Sequence, residues 1–171
     1  MPNGHMGRLL EVDLGTRSYR IVPLDPATAR KYVGGSGLAA HLLLGEASPT
    51  LDPLGPDNAL ALMAGPMTGT IIPTSNRFAA VAKSPLTGAF GESDCGGSWG
   101  GELKRAGFDG LIIRGRADSP VYLWISDDQV EIRDAFPLWG KDTWETDDLI
   151  KAETDERASV ACIGPGGERL V

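Results

Sequence analysis

Ser75-Asn76-Arg77-Phe78-Ala79-Ala80-Val81-Ala82-Lys83-Ser84-Pro85-Leu86-Thr87-Gly88, continued by Gly91-Glu92-Ser93-Asp94-Cys95-Gly96-Gly97-Ser98-Trp99-Gly100-Gly101-Glu102, sets the architecture of this chain. Phe78 to Ala82 is apolar throughout and reads as a buried strand, with Arg77 and Lys83 at its two ends. Pro85 and Gly88 turn the chain, and a glycine-dense loop then enters a helix at Glu102-Leu103-Lys104. Glycine lets backbone N–H groups approach a ligand closely, and the free N–H groups of a helix start attract anions. Two readings follow: an oxyanion or phosphate cradle, or a plain turn of the kind glycines commonly mark. Arg77 divides in the same way, between a planar donor for a phosphate or heterocycle and a partner for one of the chain's carboxylates.

Working outward, 171 residues with 42% hydrophobic content suffice for one domain with a real core. A net charge of −7 argues against nucleic acid, which needs a basic face, and no cluster of Lys and Arg supplies one. Cys95 and Cys162 lack a CxxC partner, so this chain completes neither a zinc site nor an iron–sulfur cluster, and both read as free thiols. No apolar run reaches membrane-spanning length and no signal peptide opens the chain, so the expectation is a cytoplasmic protein with no membrane partner. Residues 1–6 precede the first patterned residue and are set aside as a flexible N-terminus or an added remnant, which leaves 7–171 as the domain.

Before the central stretch, Arg8 to Leu14 and Tyr19 to Val22 read as a β-hairpin turned by Gly15-Thr16-Arg17. Asp25-Pro26 caps a short helix from Ala27 to Val33. Gly34-Gly35-Ser36-Gly37 then reads as either a backbone-approach site or a helix–helix corner, the corner being the preferred reading, and a second helix ends near Gly45. Leu60 to Ala64 is a buried strand stopped by Gly65-Pro66, and a long polar loop leads from there to Arg77. After the glycine loop, Leu111 to Ile113, Val121 to Ile125, Val130 to Ile132 and Ser159 to Ile163 read as strands, and a helix runs from about Thr143 to Ala152.

Two echoes point to duplication. Ala61-Leu62-Met63-Ala64-Gly65-Pro66 matches the pattern of Val160-Ala161-Cys162-Ile163-Gly164-Pro165, and the hairpin-then-helix order of the first quarter returns from Val121 to Ala152. The fold class these features predict is α+β, with two β-sheets, a few helices and pseudo-twofold symmetry.

Gly7-Arg8-Leu9-Leu10-Glu11-Val12-Asp13-Leu14, Gly65-Pro66-Met67-Thr68-Gly69-Thr70, Lys83-Ser84-Pro85-Leu86-Thr87-Gly88, Gly107-Phe108-Asp109-Gly110 and Leu138-Trp139-Gly140-Lys141-Asp142-Thr143 carry a resemblance to a known family. In order and spacing they resemble the N-terminal domain of the tungsten-containing aldehyde:ferredoxin oxidoreductases. The resemblance implies two sheets forming the base for two molybdopterins, which sandwich one tungsten or molybdenum and share a bridging magnesium. Arg77 would then sit against the pterin. Asp94 would give a backbone carbonyl to magnesium, Gly96 a backbone contact to the pterin phosphate, and Cys95 and Gly97 would complete the cofactor-binding loop. The implied activity is oxidation of aldehydes to carboxylic acids, with electrons passed to ferredoxin through a four-iron four-sulfur cluster held by other domains.

The departures from the family pattern bear on function. Ser36 stands where relatives often carry Arg, and the chain ends at Val171, short of the second phosphate-binding motif, the cluster cysteines and the catalytic acid/base groups. The expectation is therefore the pterin-binding portion of an enzyme that is inactive alone and partners C-terminal helical domains or a subunit carrying them. Apolar surface left where those parts dock would favour a homo-oligomer. A stand-alone, non-catalytic binding or assembly module is the alternative, as is part of a related member such as an aromatic thioester reductase.

Overall fold

The structure is a computed structural model that describes residues 3–45 and 48–170. A six-stranded sheet in the order β2-β1-β6-β3-β4-β5 is its frame, and a separate two-stranded sheet pairs β7 with β8. The elements are β1 (Arg8–Asp13), β2 (Ser18–Pro23), α1 (Pro26–Tyr32), α2 (Gly35–Leu44), β3 (Leu60–Ala64), β4 (Phe78–Lys83), β5 (Phe90–Cys95), α3 (Trp99–Arg105), β6 (Gly110–Arg114), β7 (Val121–Ser126), β8 (Gln129–Asp134), α4 (Thr143–Glu153) and α5 (Pro165–Glu168). The α+β, two-sheet expectation is met, and hairpin-then-helix does recur as β1-β2-α1 and β7-β8-α4.

Strand alternation divides the core into two layers. Leu9, Met63, Ala79, Val81 and Ile112 point to one face of the large sheet and bury Ala29 of α1 with Leu38 and Ala39 of α2. Leu10, Val12 and Leu111 point to the other, where Leu103 of α3, Phe108 and Val130 of the hairpin meet them. The hairpin closes this second face only in part. A cleft of about 850 Å³ remains between the sheets, lined by apolar side chains that include Leu62, Leu111, Ile113, Leu123, Trp139 and Val160.

Two elements differ from the sequence reading. Phe90–Cys95, taken as loop, is strand β5, registered on β4 from Lys83↔Phe90 to Phe78↔Cys95. It is the outer strand of the sheet, where Glu92, Ser93 and Asp94 stay solvated, so polar residues are tolerated and the apolar signal of a strand is missing. Conversely, Ser159–Ile163, predicted as a strand, pairs with no strand among the described residues. Its apolar side chains line the cleft instead of a ladder. The helix after the glycine loop also starts earlier than its composition suggests, at Trp99 rather than Glu102.

Of the residues set aside at the N-terminus, the described ones Gly4 and Met6 have definite partners. Met6 N and Gly7 N donate to the Asp109 carboxylate at 2.9 and 2.7 Å, and Lys104 Nζ donates to the Gly4 carbonyl. At Gly4 a Cβ would meet the Pro66 carbonyl oxygen at 2.5 Å, so only glycine fits that approach.

Candidate functional site

One end of the large sheet collects the chemistry. The register Ala64↔Phe78↔Cys95 aligns the end of β3, the start of β4 and the end of β5. Arg77 therefore immediately precedes the β4 residue that pairs with Cys95, and Gly96 immediately follows Cys95. The sequence-predicted residues Arg77, Asp94, Cys95, Gly96 and Gly97 are thus brought together. Arg77 is exposed, and among the described residues its guanidinium has no hydrogen bond or ion pair. The bland alternative, a carboxylate partner, is not what the structure contains among those residues.

The glycine cluster separates into two physically different pairs. A Cβ at Gly96 or Gly97 would meet nothing within 4 Å, so the space above this backbone is open, and Gly97 has φ +85°. Gly100 and Gly101 are buried instead. A Cβ at Gly100 would lie 3.3 Å from Phe78 and from Thr68 Cγ2, and one at Gly101 3.4 Å from Asn76 Oδ1. The first pair faces solvent and the second lets α3 lie flat on the loop before β4. The Phe78 and Trp99 rings, with centroids 4.7 Å apart, complete that seat. Gly100→Ala is expected to lower stability by about 1–3 kcal/mol through overpacking, whereas Gly96→Ala should stay within about 0.5 kcal/mol of wild type. Denaturant unfolding of the two variants checks this split, and equal losses would contradict it.

Ser98 precedes α3 but does not cap it. Its hydroxyl pairs with Ser159 Oγ at 2.6 Å, which ties the glycine loop to the extended segment lining the cleft. The first-turn N–H groups of α3 consequently receive no side-chain cap. Cross-strand partners share a face of a sheet. Asp94 therefore projects with Ala79 toward the α2 side, and Cys95 with Phe78 toward α3. Both cysteines are free and exposed. Although Cys162 is exposed, partial desolvation by its surroundings, followed by the nearby Asp147 charge, pushes its thiol up, which favours the protonated, unreactive form.

Sequence reasoning missed the residues that hold this end together. Thr68, 3% exposed, accepts a hydrogen bond from Gly65 N at 3.0 Å and donates one to the Arg77 carbonyl at 2.7 Å. Asn76 Oδ1 accepts from Gly69 N at 2.8 Å. Behind them, Lys104 of α3 pairs with Asp109 at 2.9 Å, with both side chains almost fully buried. The Gly-Pro-x-Thr-Gly-Thr pattern flagged Thr68 as part of a loop, but nothing in the pattern says that this loop folds back onto Arg77. The Gly34 to Gly37 corner lies at the same end, with Gly34 packed so that a Cβ would meet the Ala64 carbonyl at 2.8 Å.

The β4–β5 register sets the backbone of Arg77 beside open glycine backbone, and comparison with known proteins places the chain in a class. The family described as "Aldehyde ferredoxin oxidoreductase, N-terminal domain" matches residues 9–171. The tungsten-containing aldehyde ferredoxin oxidoreductase of Pyrococcus furiosus is 46% identical over 169 residues, covering 98% of this chain and 28% of that protein. The aliphatic sulfonate oxidoreductase, WOR-like subunit, of the same organism is 38% identical, covering 96% of this chain and 29% of that one. Among solved structures, the active site complex BamBC of benzoyl coenzyme A reductase, bound to 1,5-dienoyl-CoA, superposes with a TM-score of 0.96 at 42% identity. That match covers 98% of this chain and 26% of the other.

These relatives are oxidoreductases. This chain belongs to the aldehyde ferredoxin oxidoreductase family and corresponds to its N-terminal domain. It spans a little over a quarter of the length of the two curated relatives named above, 28% and 29%. No helix among the described residues is long and apolar enough to cross a membrane. Nor does any group of three or more His, Cys, Asp and Glu among those residues form a metal cage.

Proposed function

We propose that this end of the sheet is the base on which a tungsten (or molybdenum) bis-molybdopterin lies, in an enzyme that oxidises aldehydes to carboxylic acids. Arg77 lies against the pterin, Gly96 offers its backbone N–H to the pterin phosphate, and Gly97 and Cys95 continue that cradle through their backbone. Asp94 contributes its backbone carbonyl to the bridging magnesium. Its carboxylate projects with Ala79 to the α2 side of the sheet. The cofactor, when bound, supplies the two-electron redox chemistry, and this chain fixes its position and surroundings.

The observation that carries this reading is the placement of Arg77. It has no partner within the described residues and adjoins a backbone stretch with open space above it. A guanidinium in that setting offers a planar, permanently charged fork to a phosphate or heterocycle. A permanent cation and open backbone suit a phosphate-bearing cofactor of the kind proposed here for the tungsten-containing relatives.

The remaining length of the relatives completes the enzyme in this reading. It carries the four-iron four-sulfur cluster that hands electrons to ferredoxin, and it covers the apolar cleft between the two sheets. An exposed apolar lining of that size is unfavourable in water, which supports a polypeptide occupant. The proposed compartment is the cytoplasm. The high structural similarity to a benzoyl coenzyme A reductase complex favours one second reading, in which the same base serves a reductase acting on an aromatic thioester.

The test is metal and pterin analysis of the protein purified from cells grown with tungstate and molybdate. A product that carries both this chain and the rest of the family's length is expected to hold metal and pterin together, and the 171 residues alone to hold neither. Cofactor retained by the isolated chain would contradict the proposed division of labour. Absence from the longer product would overturn the cofactor assignment. Turnover of an aldehyde against an aromatic thioester separates the two readings.

A further inference from the structure

We propose that Thr68 and Asn76 are positioning residues for Arg77, setting where its guanidinium meets an anion at Gly96. The inference rests on the anion-binding reading above and extends it to residues that do not touch the ligand.

Thr68 lies in the turn after β3 and is buried, and its hydroxyl uses both of its capacities. It accepts from Gly65 N, which holds the turn, and donates to the Arg77 carbonyl, which holds the entry to β4. Asn76, the residue before Arg77, accepts from Gly69 N through its side chain, and Gly69 itself has φ +80°. Together these bonds fix the loop from Gly65 to Arg77 at both ends. The middle of the loop, where Ile71 is fully exposed, bonds only within itself, Thr70 Oγ1 donating to the Met67 carbonyl at 2.7 Å. The far side of the loop is pressed by Gly100 and Gly101 of α3. Arg77 cannot be held by its own side chain, which has no partner among the described residues, so its backbone must supply the order. Arranging a charged donor before the ligand arrives reduces the entropy lost on binding.

The experiment follows inorganic phosphate binding to the full 171-residue chain by NMR, reading the Arg77 Nε–H and Gly96 amide signals. Thr68→Val keeps the shape of the side chain and removes both hydrogen bonds. It is expected to weaken phosphate binding about fivefold, the equivalent of one hydrogen bond's net worth of about 1 kcal/mol. Thr68→Ser retains the hydroxyl and should bind like wild type, and Asn76→Ala should weaken binding in the same direction as Thr68→Val. Val130→Ala, on the β7–β8 hairpin, loses stability without touching the loop and should leave binding unchanged. Arg77→Lys marks the site itself and should weaken binding. If Thr68→Val binds phosphate like wild type while Arg77→Lys does not, positioning by Thr68 is overturned and the anion site stands. A Val130→Ala loss equal to that of Thr68→Val would reduce the effect to stability and also overturn it. Phosphate that moves neither signal in the wild-type chain would overturn the anion site and the positioning role together.

Discussion

Asp109→Ala is expected to lower the stability of this domain by about 3–5 kcal/mol, because it leaves a buried ammonium without its counter-charge. The Lys104 and Asp109 side chains are 7% and 2% exposed and lie 2.9 Å apart. The carboxylate also accepts from Met6 N and Gly7 N, so its removal orphans backbone donors as well as the lysine. Natural domains have only about 5–15 kcal/mol in total, so the loss is a large share of it. Denaturant midpoints at constant slope measure the effect, and a loss below about 1 kcal/mol would show the pair to be dispensable. Replacing both partners, Lys104→Met with Asp109→Leu, should recover much of the deficit, since apolar side chains of similar volume carry no desolvation cost. The consequence reaches the site through α3. Lys104 anchors the helix whose Gly100 and Gly101 seat the loop before Arg77, so loosening the pair should loosen the shelf.

What the sequence disclosed and what it hid have separate physical causes. β4 was legible because Phe78 to Ala82 is apolar at every position, the signature of a strand covered on both sides. β5 was not, because an edge strand that reads Phe-Gly-Glu-Ser-Asp-Cys looks like a loop. That one omission concealed the main geometric fact of the site. Without β5 there is no Phe78↔Cys95 register, and nothing in the residues alone brings Arg77 beside Gly96. The family resemblance brought the two together where local pattern could not. Ser159 to Ile163 fails in the opposite sense, since an apolar run predicts burial but not a ladder partner, and these residues line the cleft without one. The division of the glycines was equally invisible. Gly96 and Gly100 are the same letter, and only neighbours brought in from β4 and the Thr68 turn make one a packing residue and leave the other open.

Arg77→Ala should separate site from scaffold more sharply than any other change on the shelf. The guanidinium is exposed and makes no bond within the described residues, so its loss is expected to shift stability by no more than about 0.5 kcal/mol. If Arg77 binds the cofactor as proposed, the same change in the cofactor-bearing protein should remove a charge-assisted hydrogen bond worth about 1.5–3 kcal/mol, which corresponds to roughly 10- to 150-fold weaker retention. Arg77→Lys keeps the charge and loses the planar fork, so its retention should fall between the two, with the larger part of the loss present if the contact is bidentate or stacked. Metal and pterin content per polypeptide, read beside denaturant unfolding of the same samples, supplies both measurements. Full cofactor occupancy in Arg77→Ala would remove the guanidinium from the binding site. A stability loss above about 1 kcal/mol would show instead that the side chain holds the fold, contrary to its exposure. A residue that costs the scaffold nothing and the ligand a great deal is one whose position is explained by the ligand, and the β4–β5 register puts that position next to open glycine backbone.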